Sequence, residues 1–537
     1  MAYDDARHAH GSAKFATRAE IARAGMFRQT EASMYCLTYA GRPLWFDINR
    51  GGVLVVAGAR GGKGVGVVLP QQLYGIMPNT TSLILCPKGE GAAVARDQTP
   101  DGKACIYWNA TGMHGLPQHR VNPVGGLNKD NPNLVADAAV FARNLCPRTP
   151  GSKNPYFEDR AQQQLTGIMV GLAVKNGVLT LPDLYDAVND LAAAGERWLD
   201  TAYALHSSGY DIAFRVEEEL AAVLKKDNDG SGAMGILGEM LRAVGPLSDP
   251  RLRASLSAPF DFTLDQLCRS DQFYQVYLMP PLQSVSHWAP ILRCFFVGAM
   301  LEKAKRPDAP RQFWSLDECG NIGAFPLMIE LFTMGSGLGI TLFAVFQSSH
   351  QMDNLGSDGR AILTSGAALQ VYFSIRDFDD AKRVSDRLGM QTLHYNHALH
   401  QGEAAARRKD LLHGLMNGAD PFELNARKAQ LAFASEYQSK ERRLLRTPDE
   451  ILHGPENAAY VFADGVRYPI LAEKRRYFEE RMFAHRYHPN PFFPPTDRVQ
   501  IKTLFGTRWR PVITAPVPER FAHLPQYQDG LWSYIGR

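Results

Sequence analysis

The sequence predicts an α/β fold with a mostly parallel central sheet, interrupted by an all-α insertion. Short apolar strands alternate with helical segments from residue 53 onward, a block of purely helical periodicity runs from about 133 to 257, and strands return after it. With 537 residues and 45% hydrophobic content the chain supports two or three domains and excludes a disordered protein. The 58 basic side chains nearly balance the 55 acidic ones, so a nucleic-acid site would have to be a local patch or be built by assembly. The seven scattered cysteines, Cys36, Cys86, Cys105, Cys146, Cys268, Cys294 and Cys319, form no Cys-x-x-Cys pair. They argue against a zinc ribbon or disulfide framework and suit a reducing compartment. No apolar run reaches the 18 residues of a membrane span: 53–59 is too short, and 291–301 is short and carries Arg293. The first residues, with Asp4, Asp5, His8 and His10, lack the apolar core of a secretory signal.

Residues 1–50 read as a polar lead-in arm with one short helix around 17–24. The run Val53-Leu54-Val55-Val56 then reads as a strand buried on both faces. Directly after it comes Gly58-Ala59-Arg60-Gly61-Gly62-Lys63-Gly64-Val65. Glycine tolerates positive φ, so such a loop turns its N–H groups inward around phosphate oxygens, and Lys63 adds a point charge on the β- and γ-phosphates. The strict phosphate-loop pattern is broken at Ala57, where a glycine belongs, and at Gly64, where a hydroxyl normally reaches Mg²⁺. Taken alone, the stretch is also readable as a glycine-rich strand-to-helix turn. A helix shortened by Pro70, a strand at 82–86, the turn Pro87-Lys88-Gly89-Glu90 and a strand at 104–108 complete a first nucleotide-binding part, 51–130.

Residues 131–258 form the expected all-α insertion. Leu165, Ile168, Met169 and Leu172 recur at i, i+3, i+4 and i+7, with similar stripes at 181–191 and 216–224 and breaks at 147–155 and 227–232. The alternative is that these helices merely cover one large sheet. The second nucleotide-binding part, 259–480, offers strands at 273–279, 313–316, 340–346 and 369–374, the last taken as the end of the sheet, with helices at 286–305, 326–333 and 381–388. Residues 481–537 are a tail rich in proline and aromatics.

Hydrolysis of a triphosphate requires a held Mg²⁺ and an oriented water. The strand at 313–316 runs into Asp317-Glu318, which is assigned to the metal (Asp317) and to polarising the water (Glu318); Gln347, ending the next strand, is assigned to sensing the γ-phosphate. Each has a bland reading, as a surface acidic pair or a strand-end amide. His394, His397 and His400 read as a surface segment rather than a metal site, and Asp227-Asn228-Asp229-Gly230 as a linker rather than a calcium loop. The basic clusters Arg407-Arg408-Lys409, Lys440-Arg442-Arg443 and Lys474-Arg475-Arg476 are by default solvated faces, with phosphate contacts as the alternative.

Across almost the full length these features resemble the type IV secretion coupling proteins, the TraG-like ATPases. The resemblance rests on the 57–66 loop, Pro87-Lys88-Gly89-Glu90, Asn122-Pro123, Leu316-Asp317-Glu318, Phe346-Gln347-Ser348, Leu445-Arg446-Thr447-Pro448-Asp449-Glu450-Ile451, and His10-Gly11-Ser12-Ala13-Lys14 near the start. It implies a RecA-like P-loop NTPase motor that binds ATP and Mg²⁺ and assembles as a homo-hexamer. Its cargo would be single-stranded DNA, a relaxase–DNA complex or effector proteins, passed to type IV secretion channel components at the cytoplasmic face of the inner membrane. It further implies that Mg²⁺ rests on phosphate oxygens, waters and Asp317 rather than on a loop hydroxyl. Three departures stand out: no transmembrane helices precede the motor in this chain, Cys86 stands where an aspartate is common, and 333–339 holds no arginine. Arg376 or Arg360 is then the candidate finger in trans, each with a salt-bridging surface arginine as the bland reading. The alternative function is a nucleotide-binding docking adaptor with little or no hydrolysis.

Overall fold

The computed structural model describes residues 11–151, 155–193, 195–225, 231–356, 358–395 and 439–536, with isolated positions between 406 and 420. Its strands in chain order are β1 (Ser33–Tyr39), β2 (Arg42–Asp47), β3 (Gly52–Ala57), β4 (Thr81–Leu85), β5 (Ala104–Trp108), β6 (Tyr274–Leu278), β7 (Gln312–Leu316), β8 (Ile340–Phe346), β9 (Ala367–Phe373), β10 (Met390–Tyr395), β11 (Ser439–Leu444), β12 (Ala458–Ala463), β13 (Ile470–Glu473), β14 (Arg498–Thr503), β15 (Gly506–Pro516) and β16 (Leu531–Ile535). Eleven of them form one sheet in the order β2-β1-β13-β12-β9-β3-β8-β7-β4-β6-β5. From β9 to β5 every pairing is parallel. These strands are almost wholly buried, which is why they read as continuous apolar runs rather than alternating ones.

The sheet does not end at β9. β12 pairs antiparallel with it, Val461 opposite Val371, and β13 and the β1–β2 hairpin extend the sheet beyond. The expectation that 369–374 is the last sheet strand is therefore corrected: the chain returns after residues 375–455 with strands of six and four residues, too short to show a period. The lead-in arm likewise carries structure. The helix expected near 17–24 is present as Arg18–Arg23, and β1 and β2 follow it. Their turn, Ala40-Gly41, takes positive φ at both positions (47° and 74°), with alanine in place of the usual asparagine or aspartate. The tail folds as well, into the antiparallel sheet β14-β15-β16.

Between β5 and β6 the described residues hold only helices and irregular segments. The central one, Tyr156–Asn176, buries Leu165, Ile168, Met169 and Leu172 as the periodicity requires. Gly167 and Gly171 let its neighbours close in, since a Cβ on either would lie within 3.0 Å of Val216 or Leu205 side-chain atoms. This insertion shares a compact unit with the sheet. Arg293, buried in the helix Val285–Ala304, fastens it there: its guanidinium donates to the carbonyls of Asn144 (2.5 Å), Leu145 (3.2 Å) and Ile322 (2.7 Å). The Leu282–Ala304 stretch is long and apolar enough to cross a membrane, alone among the described residues, but it is mostly buried inside the protein.

The described residues divide into two compact units. The smaller takes in parts of 1–17, 375–455 and 467–470. It contains the antiparallel pair β10–β11 and the helices Phe378–Leu388 and Pro448–Leu452. Thr447 and Glu450 close a capping box at the start of the second helix. The side chain of His394, residues His397 and His400, Arg407 and the 227–230 linker lie outside the described residues. All seven cysteines are free and buried.

Candidate functional site

Parallel strands deliver their carboxyl ends to one edge. Because β3 lies between β9 and β8, with β7 next, that edge gathers the 58–65 loop, Ser374, Gln347 and Asp317-Glu318 side by side. β3 runs in register to Ala57, opposite Phe373, so Ala57 is ordinary extended backbone and needs no glycine. The loop beyond it turns with Gly61 N–H donating to the Gly58 carbonyl (3.0 Å), Arg60 at φ 59° and Gly62 at φ 77°. Alternating left- and right-handed residues of this kind point successive N–H groups into a concavity that receives an anion. Lys63 is already helical, and a wide turn, Gly64–Val68, follows before Leu69–Gln72.

Four of the site residues expected from the sequence meet in one network. Lys63 Nζ lies 2.5 Å from Glu318 Oε1 and 3.7 Å from Asp317 Oδ1. Gln347 Nε2 donates to the other oxygen of Glu318 (2.7 Å), and the Glu318 N–H donates to Asp317 Oδ1 (3.1 Å). Gln351, on the helical turn after β8, accepts from the Gln347 backbone N–H (2.8 Å). Burial pushes the Asp317 carboxyl above the usual carboxylate range, while Lys63 pulls it back down. Glu318 itself sits at φ 61°, as Arg60, Lys88 and Ser374 sit at 59°, 73° and 49°. Left-handed non-glycine residues each cost of order 1–3 kcal/mol and persist where the surroundings over-determine them, which is common at functional sites.

Several contributors were not legible beforehand. Ser374, directly after β9, donates its hydroxyl to the Gly61 carbonyl (3.3 Å). Lys474, which follows β13, donates to the same carbonyl (2.5 Å). Its cluster read as a solvated face, and that reading does not hold for Lys474, whereas Arg475 pairs with Glu473 and Glu480, and Arg476 with Glu479. A cavity of about 770 Å³ opens beside the loop, bounded by Gly62, Val65, Lys474, Tyr477, Tyr487 and Trp509. A Cβ on Gly64 would meet nothing within 4 Å, so space does not dictate the missing hydroxyl. Arg360 pairs with Asp353 at 3.4 Å.

A glycine loop and lysine after β3, paired acids after β7 and an amide on the strand between them define the RecA-like P-loop NTPase class, here with an inserted all-α domain. The family described as "Type IV secretory system Conjugative DNA transfer" matches residues 7–411, and the chain belongs to that family. Among curated proteins it is 24% identical to conjugal transfer protein TraG of Escherichia coli, over 89% of this chain and 78% of TraG. It is also 24% identical to protein VirD4 of Rhizobium rhizogenes, over 72% of this chain and 57% of VirD4. In fold it is similar to the plasmid coupling protein TrwB in complex with the non-hydrolysable GTP analogue GDPNP, with a TM-score of 0.53 and 15% identity over 87% of this chain and 97% of that one. A second TrwB structure, in complex with sulphate, gives a TM-score of 0.54 and 14% identity, covering 86% of this chain and 94% of that one.

Proposed function

We propose that this chain is the ATP-hydrolysing coupling protein of a type IV secretion or conjugation system, moving DNA, nucleoprotein or effector protein toward the channel. The observation that carries the reading is the single network joining Lys63, Asp317, Glu318 and Gln347 at the mouth of an anion-binding loop. Family membership and the fold shared with nucleotide-bound TrwB support it.

In this reading the loop N–H groups of 58–65 hold the phosphates of ATP, and Lys63 leaves Glu318 to meet them. The base and ribose occupy the adjoining cavity. Asp317, a hard oxygen donor beside Lys63, would hold Mg²⁺, which when bound would supply positive charge against that building on the phosphates. Glu318, freed from Lys63, orients the attacking water. Gln347, which shares Glu318 with Lys63, loses or regains its partner according to whether a γ-phosphate is present, and passes that state to the Gln351 turn. Segments 51–130 and 259–480 are the motor in this account, 131–258 receives cargo, and the ring is a homo-hexamer at the cytoplasmic face of the inner membrane. Single-stranded DNA entering such a ring stimulates turnover.

The test is DNA-stimulated ATP turnover at protein concentrations that permit ring formation. Lys63→Ala abolishes it while the fold is retained; a Lys63→Ala protein turning over at the normal rate defeats the proposal. Nucleotide binding without any turnover by the unaltered chain selects the docking adaptor instead.

A further inference from the structure

Lys63 is a neutralised cation in this structure, held between two carboxylates. A second lysine reaches the same loop from the opposite wall. Lys474 follows directly on β13, and its stem lies along the first helical turn, its Cγ 2.9 Å from where a Cβ on Gly66 would stand. Its Nζ donates to the Gly61 carbonyl at 2.5 Å and lies 3.3 Å from Ser374 Oγ, at the border of the 770 Å³ cavity. The Phe373 ring centroid is 5.3 Å away. Among the described residues no carboxylate lies within ion-pair distance of Lys474, although its neighbours Arg475 and Arg476 are both paired. Burial lowers its tendency to hold a proton, and the nearby Glu456 opposes that only in part.

An ammonium has three N–H donors. Two are directed at Gly61 and Ser374, which leaves one. A half-buried cation with a spare donor, without a carboxylate at ion-pair distance and seated on the outside of an anion-binding loop, is charge provided for a ligand that is not part of the chain. We propose that Lys474 is a second phosphate-binding lysine, which keeps its hold on the Gly61 carbonyl and gives its remaining donor to a phosphate oxygen of the bound nucleotide. The position lies outside the 7–411 stretch matched by the family and just past a strand of four residues. The inference rests on the nucleotide reading of the 58–65 loop and adds to it a charge on the cavity side, opposite Lys63.

A mere strut and a phosphate ligand are separable by substitution. Lys474→Gln keeps a donor for the Gly61 carbonyl and removes the charge, while Lys474→Arg keeps the charge. Binding of a non-hydrolysable ATP analogue and of adenosine is measured by calorimetry at low and high salt, with thermal melting as a check on folding. Loss of one charge-assisted hydrogen bond predicts that Lys474→Gln binds the analogue ~10-fold more weakly with a shallower salt dependence, binds adenosine as before, and that Lys474→Arg stays near the unaltered protein. Unchanged analogue affinity in a folded Lys474→Gln protein overturns the proposal and leaves a strut. Lys63→Ala measured alongside separates the two levels: unchanged affinity there sinks the nucleotide reading itself, whereas loss there with a normal Lys474→Gln sinks only the second lysine. If Lys474→Gln does not fold, amine-selective labelling of the unaltered chain decides. Inorganic triphosphate and the ATP analogue protect Lys474 and adenosine does not; failure of both polyphosphates to protect it refutes the assignment.

Discussion

The contact between Lys63 and Glu318 sets up opposite changes in binding and turnover when the glutamate is made neutral. Both side chains are largely buried, 14% and 12% exposed, and 2.5 Å apart. Hydrogen bonds to charged groups contribute about 1.5–3 kcal/mol net, against about 1 kcal/mol for a neutral one. Lys63 must give up the charged contact to reach a phosphate. Glu318→Gln removes the difference, roughly 1 kcal/mol after allowing for the remaining pull of Asp317 at 3.7 Å, which corresponds to about 5-fold tighter binding of an ATP analogue. Lys63 and Gln347 face different oxygens of Glu318, so in the same rotamer the new amide turns its oxygen to one of them and its NH₂ to the other. Turnover falls in the same variant by about 10²–10⁴-fold, the usual contribution of a group that takes or directs a proton. Fluorescence titration with a labelled analogue and a coupled phosphate-release assay on one preparation read both numbers. Affinity unchanged or weaker, together with turnover near normal, would refute the reasoning.

Three further outcomes follow from the same geometry. Gly64→Ser introduces a Cβ into open space and removes a glycine from a helical turn, so the melting temperature holds or rises, by up to about 1 kcal/mol of stability, and turnover is retained; a clear loss of stability contradicts it. Gly61→Ala places a Cβ 2.7 Å from Ser374 Cβ and 2.8 Å from the Gly58 carbonyl oxygen, so the loop shifts; nucleotide affinity drops more than 10-fold with about 1–3 kcal/mol of stability, and a variant binding normally contradicts the loop's role. His488 is buried, its Nε2–H bonded to the Ser533 carbonyl at 3.0 Å, and burial pushes its pKa from 6.5 down to about 3. Between those values the unfolded chain binds the extra proton and the folded chain does not, so this contribution to stability is whole above pH 6.5 and drains away as pH falls toward 3. Unfolding free energies from urea titrations across that window should fall by a few kcal/mol in the unaltered chain and less in His488→Gln, which keeps a donor; equal slopes would contradict the assignment.

How much could be read in advance depended on burial and on chain proximity. β5 and β8 appear at their expected limits because strands covered on both faces are unbroken apolar runs bounded by polar turns. The gathering of Lys63, Asp317, Glu318 and Gln347 was legible for a topological reason, since parallel strands must release their carboxyl ends on one side. The β1–β2 hairpin escaped notice because Ala40-Gly41 is not a usual sequence for a turn with two left-handed residues. β13 is four residues long and lies next to a strand far from it in sequence, so nothing local told which way Lys474 would face. The glutamate that closes on Lys63 was named from the sequence as the water-directing acid; its second aspect, as a lock on the lysine, needed coordinates.

The claim under all of this is that the 58–65 loop and the Asp317-Glu318 pair are two halves of one triphosphate site. Calorimetric titration of a non-hydrolysable ATP analogue with Mg²⁺ into the unaltered chain and into Lys63→Ala and Asp317→Asn variants tests it most directly. The expected result is binding by the unaltered chain, a large loss with Lys63→Ala, and loss of the Mg²⁺ dependence with Asp317→Asn. Equal affinity and equal Mg²⁺ dependence in all three would contradict it.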